Sequence, residues 1–248
     1  MTRYVTEPRV TLISYTHNAA DVICFTRQTR LCLSPGVMEE VKNWTEERKL
    51  SELKEAAKTI PSSWEFVDFT FLVEDVSRAF THQCVRTRQA CYAQQTMRVL
   101  NMSDFDYVVS DRIQVSEEGR KTVEGAVESI KHAYESMINA GLPPEDARGI
   151  LPTNIVTNIV CKYNLRTFVD LAKSRTGGRT QSEYQVVVGK MIDEVLKVYP
   201  WVELFLFGDQ GRDYFNDIEE FAKREYPNDL KKKGELLKIV DKMRKGVK

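Results

Sequence analysis

Residues 83–98 gather more hydrogen-bonding chemistry than any other stretch of this chain, from Gln83 through Arg86, Thr87, Arg88, Gln94, Gln95 and Thr96 to Arg98. A guanidinium fork grips two oxygens of one phosphate at once, and glutamine and threonine add neutral donors beside it. The chemistry that suits such a segment is the holding of a phosphate or pyrophosphate. A solvated loop with surface ion pairs accounts for the same residues, and on composition alone it is the favoured reading. A second polar group comprises Arg148, Asn164, Arg166, Arg175, Arg179, Gln181 and Glu183. Arginines beside helix ends suit an anion, and ordinary capping and ion pairing suit the same residues. Cys84 and Cys91 are nucleophile types, but no histidine is positioned by sequence to act as their base. Packing or loop roles fit them better.

The elements that must carry these residues follow from periodicity and punctuation. Val10–Tyr15 is predicted as a strand, and Asn18-Ala19-Ala20-Asp21 opens a helix through Val22, Ile23 and Arg27. Pro35-Gly36 marks a break. One charged helix is predicted over Glu39–Lys58, ended by Pro61-Ser62-Ser63. Phe66–Leu72 alternates like a strand, and Val76–Val85 reads as a helix feeding into Arg86-Thr87-Arg88. Tyr107–Ser110 is a further short strand, and Gly119–Ala140 has helical spacing ended by Gly141. Ile155–Val160 reads as a buried strand, followed by helices over Leu165–Lys173 and Gln181–Val198 with a Gly177-Gly178 turn between them. The tail from Asp217 is charged helix. No repeat or low-complexity linker is present. The fold class is α+β: one mixed domain over residues 1–216, with a charged helical extension over 217–248.

Bulk properties narrow the function classes. Of 248 residues 42% are hydrophobic, enough for a substantial core, and Lys plus Arg equals Asp plus Glu at 36 each, so no global positive field points to nucleic acid. Lys231-Lys232-Lys233 reads as a solvated face. No apolar run approaches the roughly 20 residues that span a bilayer, and Met1-Thr2-Arg3-Tyr4 lacks a signal-peptide core. Five scattered cysteines without a CxxC pair indicate a reducing, cytoplasmic setting without structural zinc. His17, His82 and His132 lie too far apart in sequence for a metal site, so no metal is expected.

Taken together, the motifs resemble those of the flavin-dependent thymidylate synthases. Arg86, Arg88, Thr96 and Arg98 fall at the spacings of that family's Arg-His-Arg loop, and Glu65 to Phe71 looks like the strand that precedes it. Arg148-Gly149-Ile150-Leu151-Pro152 resembles its Arg-x-x-Leu-Pro element, and Asn164-Leu165-Arg166-Thr167 its Asn-x-Arg-Ser/Thr element. Arg175, Gln181 and Glu183 keep the spacing of its final motif, and the order holds over roughly Val10 to Leu204. Several aligned motifs are specific where one alone is weak.

The resemblance implies FAD, NADPH as reductant, methylenetetrahydrofolate as one-carbon donor, and a homotetramer with active sites at subunit interfaces. It places dUMP, with dCMP as the alternative, against Gln83, Gln94, Gln95, Thr96, Arg98, Arg148 and Arg175. Arg98 and its neighbours would hold the phosphate, while Arg148, Arg175 and Thr96 would serve the reacting base. It places the flavin against Ser62, Arg86, Thr87, Arg88, Asn164, Arg166, Asp170, Arg179 and Gln181. No nucleophilic cysteine is implied.

Departures from the family fall on the flavin and folate side. Thr87 replaces the middle histidine of Arg-His-Arg, Ile60 and Phe66 stand where histidines are common, and Arg179 replaces another. Histidine stacks and titrates near neutrality, whereas threonine offers only a hydroxyl. Two outcomes follow for the same one-carbon transfer: reduction to the methylated nucleotide, or water addition giving a 5-hydroxymethyl nucleotide of the kind used in phage DNA. In the phage case the setting would be a host cytoplasm. A nucleotide-binding protein without catalysis is a third reading, and it requires only the arginine cluster.

Overall fold

The computed structural model describes residues 4–31, 35–59, 61–177, 180–208, 214–226 and 229–246. In chain order the strands and helices are β1 (Tyr4–Val5), β2 (Arg9–Tyr15), α1 (Ala19–Thr29), α2 (Val37–Lys42), α3 (Glu46–Lys58), β3 (Asp68–Ser77), α4 (Arg78–Cys84) and β4 (Ala90–Gln94). There follow β5 (Tyr107–Val108), α5 (Asp111–Gln114), α6 (Glu117–Asn139), α7 (Pro144–Ala147), β6 (Val156–Asn164), α8 (Leu165–Arg175) and α9 (Ser182–Val198). The chain closes with α10 (Glu203–Phe207), α11 (Tyr214–Glu225) and α12 (Leu230–Gly246), and 3₁₀ segments occupy Pro61–Phe66, Arg148–Ile150 and Pro200–Val202. This is the mixed helix-and-sheet class expected. By contacts it divides into two compact units, Met1–Ser14 with Thr70–Tyr163 and Tyr15–Phe69 with Asn164–Lys248.

The first unit is organised by the four-stranded sheet, in the order β2-β3-β6-β4. Strand β3 alternates as a half-buried strand should, with Phe69, Phe71 and Val73 fully buried and the intervening residues partly exposed. The alternation breaks at Asp75, which adopts the left-handed region (φ 59°). Non-glycine residues rarely sit there. It is held by its N–H donating to Asn158 Oδ1 at 3.2 Å and by its carboxylate accepting from Arg9 Nε at 2.8 Å. Ser77 then caps α4, its hydroxyl accepting from the Phe80 N–H at 3.0 Å. Strand β4 pairs antiparallel with β6, Ala90 opposite Tyr163 and Gln94 opposite Ile159. Beside the sheet, β1 and β5 pair in parallel. Phe105, Tyr107, Val127, Tyr134 and Ile155 bury together under the amphipathic face of α6.

The second unit is helical. Helix α1 packs on α3 and on the 3₁₀ segment Pro61–Phe66, which also lies on α8. Trp64 meets Phe205 edge-on with ring centres 5.0 Å apart, and Phe69 lies 5.7 Å from Phe168. Asn164 caps α8, Oδ1 accepting from the Thr167 N–H at 2.8 Å.

Three expectations need correction. The helix expected over 39–58 is two helices, because Thr45 accepts from the Arg48 N–H at 3.2 Å and starts a second one. The strand expected to end at Leu72 runs to Ser77, so the following helix begins at Arg78. Residues 90–94, read as part of a loop, form β4. The charged tail contains two helices, α11 and α12.

Losing the α4 cap lowers stability by a predictable amount. Ser77→Ala should reduce the unfolding free energy by about 1 kcal/mol, read as a lower urea midpoint at unchanged slope. An unchanged midpoint would mean that the cap contributes nothing.

Candidate functional site

In the first unit the sheet and α4 bring three arginines to one place. Arg78 opens α4, and its Nη2 donates to the Gln95 carbonyl at 2.6 Å just past the end of β4. Its Nε is buried without a hydrogen-bond partner. Burial, and then the charge of neighbouring Arg148, push the Arg78 guanidinium below its ordinary range. Arg148 Nε donates to the Glu145 carbonyl at 3.2 Å, while the Glu145 carboxylate holds Arg98 Nε at 2.8 Å. Arg78 and Arg148 have no carboxylate partner among the described residues. Two like charges that feel each other, one with an orphaned buried donor, suit an anion.

Neutral donors surround this group. Gln94 Nε2 donates to Thr81 Oγ1 at 2.8 Å, and the Thr96 hydroxyl accepts from the Arg98 N–H at 3.1 Å while remaining exposed. Gln95 belongs through its carbonyl, and Gln83 lies on α4. The first unit therefore gathers Gln94, Gln95, Thr96, Arg98 and Arg148 about Arg78 and Glu145. A phosphate monoester fits these donors, since it supplies the acceptor that Arg78 Nε lacks.

Arg86, Thr87 and Arg88 form a separate turn directly after α4. Tyr92, on β4, ties it down: its hydroxyl donates to the Cys84 carbonyl at 2.9 Å and to the Thr87 carbonyl at 2.7 Å. Burial pushes the Tyr92 phenol up to about 12, so it stays a donor through the neutral range. Below it, Cys84 Sγ lies 3.2 Å from the Tyr163 hydroxyl. The Cys161 thiol is pushed up by its hydrogen bond with Cys84 and by burial, so it is no nucleophile near neutrality. Both thiols pack beneath the turn, and Cys91 is exposed. Arg86 and Arg88 are exposed, without a carboxylate partner among the described residues.

In the second unit, Arg166 Nη1 pairs with Glu65 at 2.5 Å. Asn164 uses its amide oxygen as the α8 cap, leaving only its NH₂ for a ligand. Arg175 ends α8 with its guanidinium 5.2 Å from the Tyr184 ring centre and its Nε buried without a partner. That orphaned donor fits a carbonyl oxygen. Ser62 accepts from Arg30 Nη1 at 3.0 Å, Asp170 is exposed on α8, and Gln181 Nε2 donates to Glu183 at 3.4 Å where α9 begins. Arg179 and Ile60 lie outside the described residues, as does Gly178 of the turn expected before α9.

Sequence reasoning missed Arg78 and Glu145. No sequence signal marked Arg78, because the helix was expected to start at Val76 and the structure starts it at Arg78. Among the described residues, no helix is long and apolar enough to cross a membrane, and no cluster of His, Cys, Asp and Glu is suited to a metal.

Comparison with known proteins adds an independent line. Residues 11–201 match the family model described as "Thymidylate synthase complementing protein". A flavin-dependent thymidylate synthase of Clostridium tetani is 31% identical over 210 residues, 77% of this chain and 84% of that one. Another, of Nitratidesulfovibrio vulgaris, is 30% identical over 241 residues, 90% of this chain and 96% of that one. A solved UMP/dUMP methylase, PolB from Streptomyces cacaoi bound with 5-Br dUMP, superposes with a TM-score of 0.68 at 15% identity. That match covers 80% of this chain and 94% of that chain, and it speaks to fold alone.

The Glu145 carboxylate takes Arg98 Nε, a donor that a phosphate could use. Glu145→Gln should therefore tighten binding of a phosphate monoester by about two- to fivefold, the worth of an exposed ion pair, measured by calorimetry at low salt. Weaker binding would mean that Glu145 positions Arg98 rather than competing for it.

Proposed function

The chain belongs to the flavin-dependent thymidylate synthase family, and on that premise we propose that it transfers a one-carbon unit from methylenetetrahydrofolate to carbon 5 of dUMP, giving dTMP. The observation that carries this reading is the group of Arg78, Arg98 and Arg148, with a buried Arg78 Nε that has no hydrogen-bond partner among the described residues. The reading includes FAD as the flavin, NADPH as its reductant, and a homotetramer, each supported by the family resemblance.

The residues divide by what they offer. Arg78 and Arg98 supply the charge for the nucleotide phosphate, with Gln83, Gln94, Gln95 and the Thr96 hydroxyl as neutral donors around it. Arg148 and Arg175 act on the base. A guanidinium donating to a ring carbonyl withdraws density from the carbon 5–carbon 6 double bond, exposing carbon 6 to nucleophilic attack without a cysteine. A donor at Arg175 set against position 4 of the base would prefer uracil, which has a carbonyl there, to cytosine, which has an amine. The flavin, when bound, supplies the reducing equivalents that complete the methyl group. Arg86, Arg88 and Arg166 offer charge to its phosphates, and Ser62, Thr87, Asn164, Asp170, Arg179 and Gln181 offer polar contacts.

The second reading keeps the same transfer but ends in water addition, giving a 5-hydroxymethyl nucleotide. It is favoured by Phe66, which is 61% exposed where relatives commonly carry a titratable ring, and by Thr87.

FAD-loaded protein given dUMP, methylenetetrahydrofolate and NADPH should yield a product heavier by one methylene group in mass spectrometry. A product carrying one further oxygen would replace this reading by the hydroxymethylase, and unchanged dUMP would contradict both. Arg175→Ala should weaken dUMP binding by about ten- to hundredfold, the worth of a charged hydrogen bond, with flavin content unchanged. Loss of flavin with dUMP affinity intact would reverse the assignment.

A further inference from the structure

Arg30 has no part in the chemistry described above, yet its side chain is fixed. It follows the last residue of α1 and is exposed, and its guanidinium reaches the 3₁₀ segment Pro61–Phe66. Nη1 donates to Ser62 Oγ and Nη2 to Ser63 Oγ, each at 3.0 Å. Among the described residues it has no carboxylate partner. Arg27, one helical turn earlier, gives the contrast: its Nε pairs with Glu52 at 2.6 Å, and its Nη1 donates to Thr59 Oγ1 at 3.1 Å. Two arginines on one helix face therefore meet three hydroxyls, and only Arg27 has its charge matched.

A cation at a helix C-terminus gains from the dipole. That makes an arginine acceptable at position 30, but it does not direct the fork to two serines. Each serine hydroxyl that accepts from a guanidinium keeps its own proton to donate. Arg30 and the two serines therefore offer donors and a positive charge, while the segment's one carboxylate, Glu65, is paired with Arg166, and this suits an oxyanion with several oxygens. The same 3₁₀ segment ends in Phe66, whose ring is 61% exposed. At about 2.0 Å of rise per residue, Ser62 and Phe66 are separated by roughly 8 Å. A ligand with a phosphate and a planar ring would find a partner for each.

We propose that Arg30, Ser62 and Ser63 form a binding site for a phosphate of a dinucleotide cofactor. The inference rests on the flavoenzyme reading and deepens it by adding a residue that no family motif marks. The phosphate belongs either to the flavin dinucleotide or to the nicotinamide dinucleotide, and the two are separable.

The test titrates full-length wild type, Arg30→Ala and Arg30→Lys with FAD and with riboflavin, and compares KM for NADPH in the loaded enzymes. Arg30→Ala should weaken FAD by about ten- to hundredfold while leaving riboflavin, which has no phosphate, within about twofold. Arg30→Lys keeps the charge without the fork and should fall between them, so the test survives if the alanine variant folds poorly. An unchanged FAD affinity with a comparable rise in KM for NADPH would assign the phosphate to the nicotinamide cofactor. Equal losses for FAD and riboflavin, or no loss with any cofactor, would overturn the site. A wild type that binds neither flavin nor dUMP would defeat the flavoenzyme reading itself, a failure distinct from a flavin-binding wild type indifferent to Arg30.

Discussion

Unmatched guanidinium charge is the constraint on which the candidate site depends. The chain as a whole is balanced, with 36 basic and 36 acidic residues. Even so, Arg78 and Arg148 stand close enough to repel, and no carboxylate among the described residues neutralises either. Like charges that feel each other destabilise one another, and an anionic ligand offsets that repulsion. The local architecture keeps the arrangement in place without a ligand. The left-handed Asp75 breaks the regular pleat near the end of β3, Ser77 caps α4, and the Gln95 carbonyl receives Arg78. Each device acts on the backbone, so the charges are positioned by folding rather than by neutralising partners.

A second set of contacts holds the turn after α4 whatever side chain stands at position 87. The turn after α4 is held through the carbonyls of Cys84 and Thr87, both accepting from the Tyr92 hydroxyl. A carbonyl is present whatever the side chain. Position 87 can therefore carry threonine instead of histidine while Arg86 and Arg88 keep their place. The buried Cys84–Tyr163 contact below gives the turn a packed floor. What the substitution changes is the stacking and titrating group offered to a ligand, which is why product identity rather than fold is where the departure would register.

Much of this was legible in the residues. The strand at 10–15, the helix expected over Gly119–Ala140, and the helices expected over Leu165–Lys173 and from Gln181 follow from periodicity and punctuation. Strand β4 was not legible. Ala90-Cys91-Tyr92-Ala93-Gln94 has little β-branched character, and its extended form comes from pairing with β6, a tertiary effect that local propensity does not carry. The split of α2 from α3 turned on the Thr45 cap, one residue inside a charged run. Arg78 lay eight residues upstream of the recognised loop, at the head of an apolar helix, and only the fold brings it beside Arg148. Arg30 was hidden for the same reason: its partners are 32 and 33 residues away in sequence.

The buried, orphaned Nε of Arg78 is suited to the phosphate of the nucleotide. Equilibrium binding of dUMP and of deoxyuridine to wild type and to Arg78→Gln separates the phosphate from the rest of the ligand. Wild type should prefer dUMP strongly, and the variant should lose about ten- to hundredfold for dUMP while its deoxyuridine affinity holds. Equal losses for both ligands, or none, would contradict that role of Arg78.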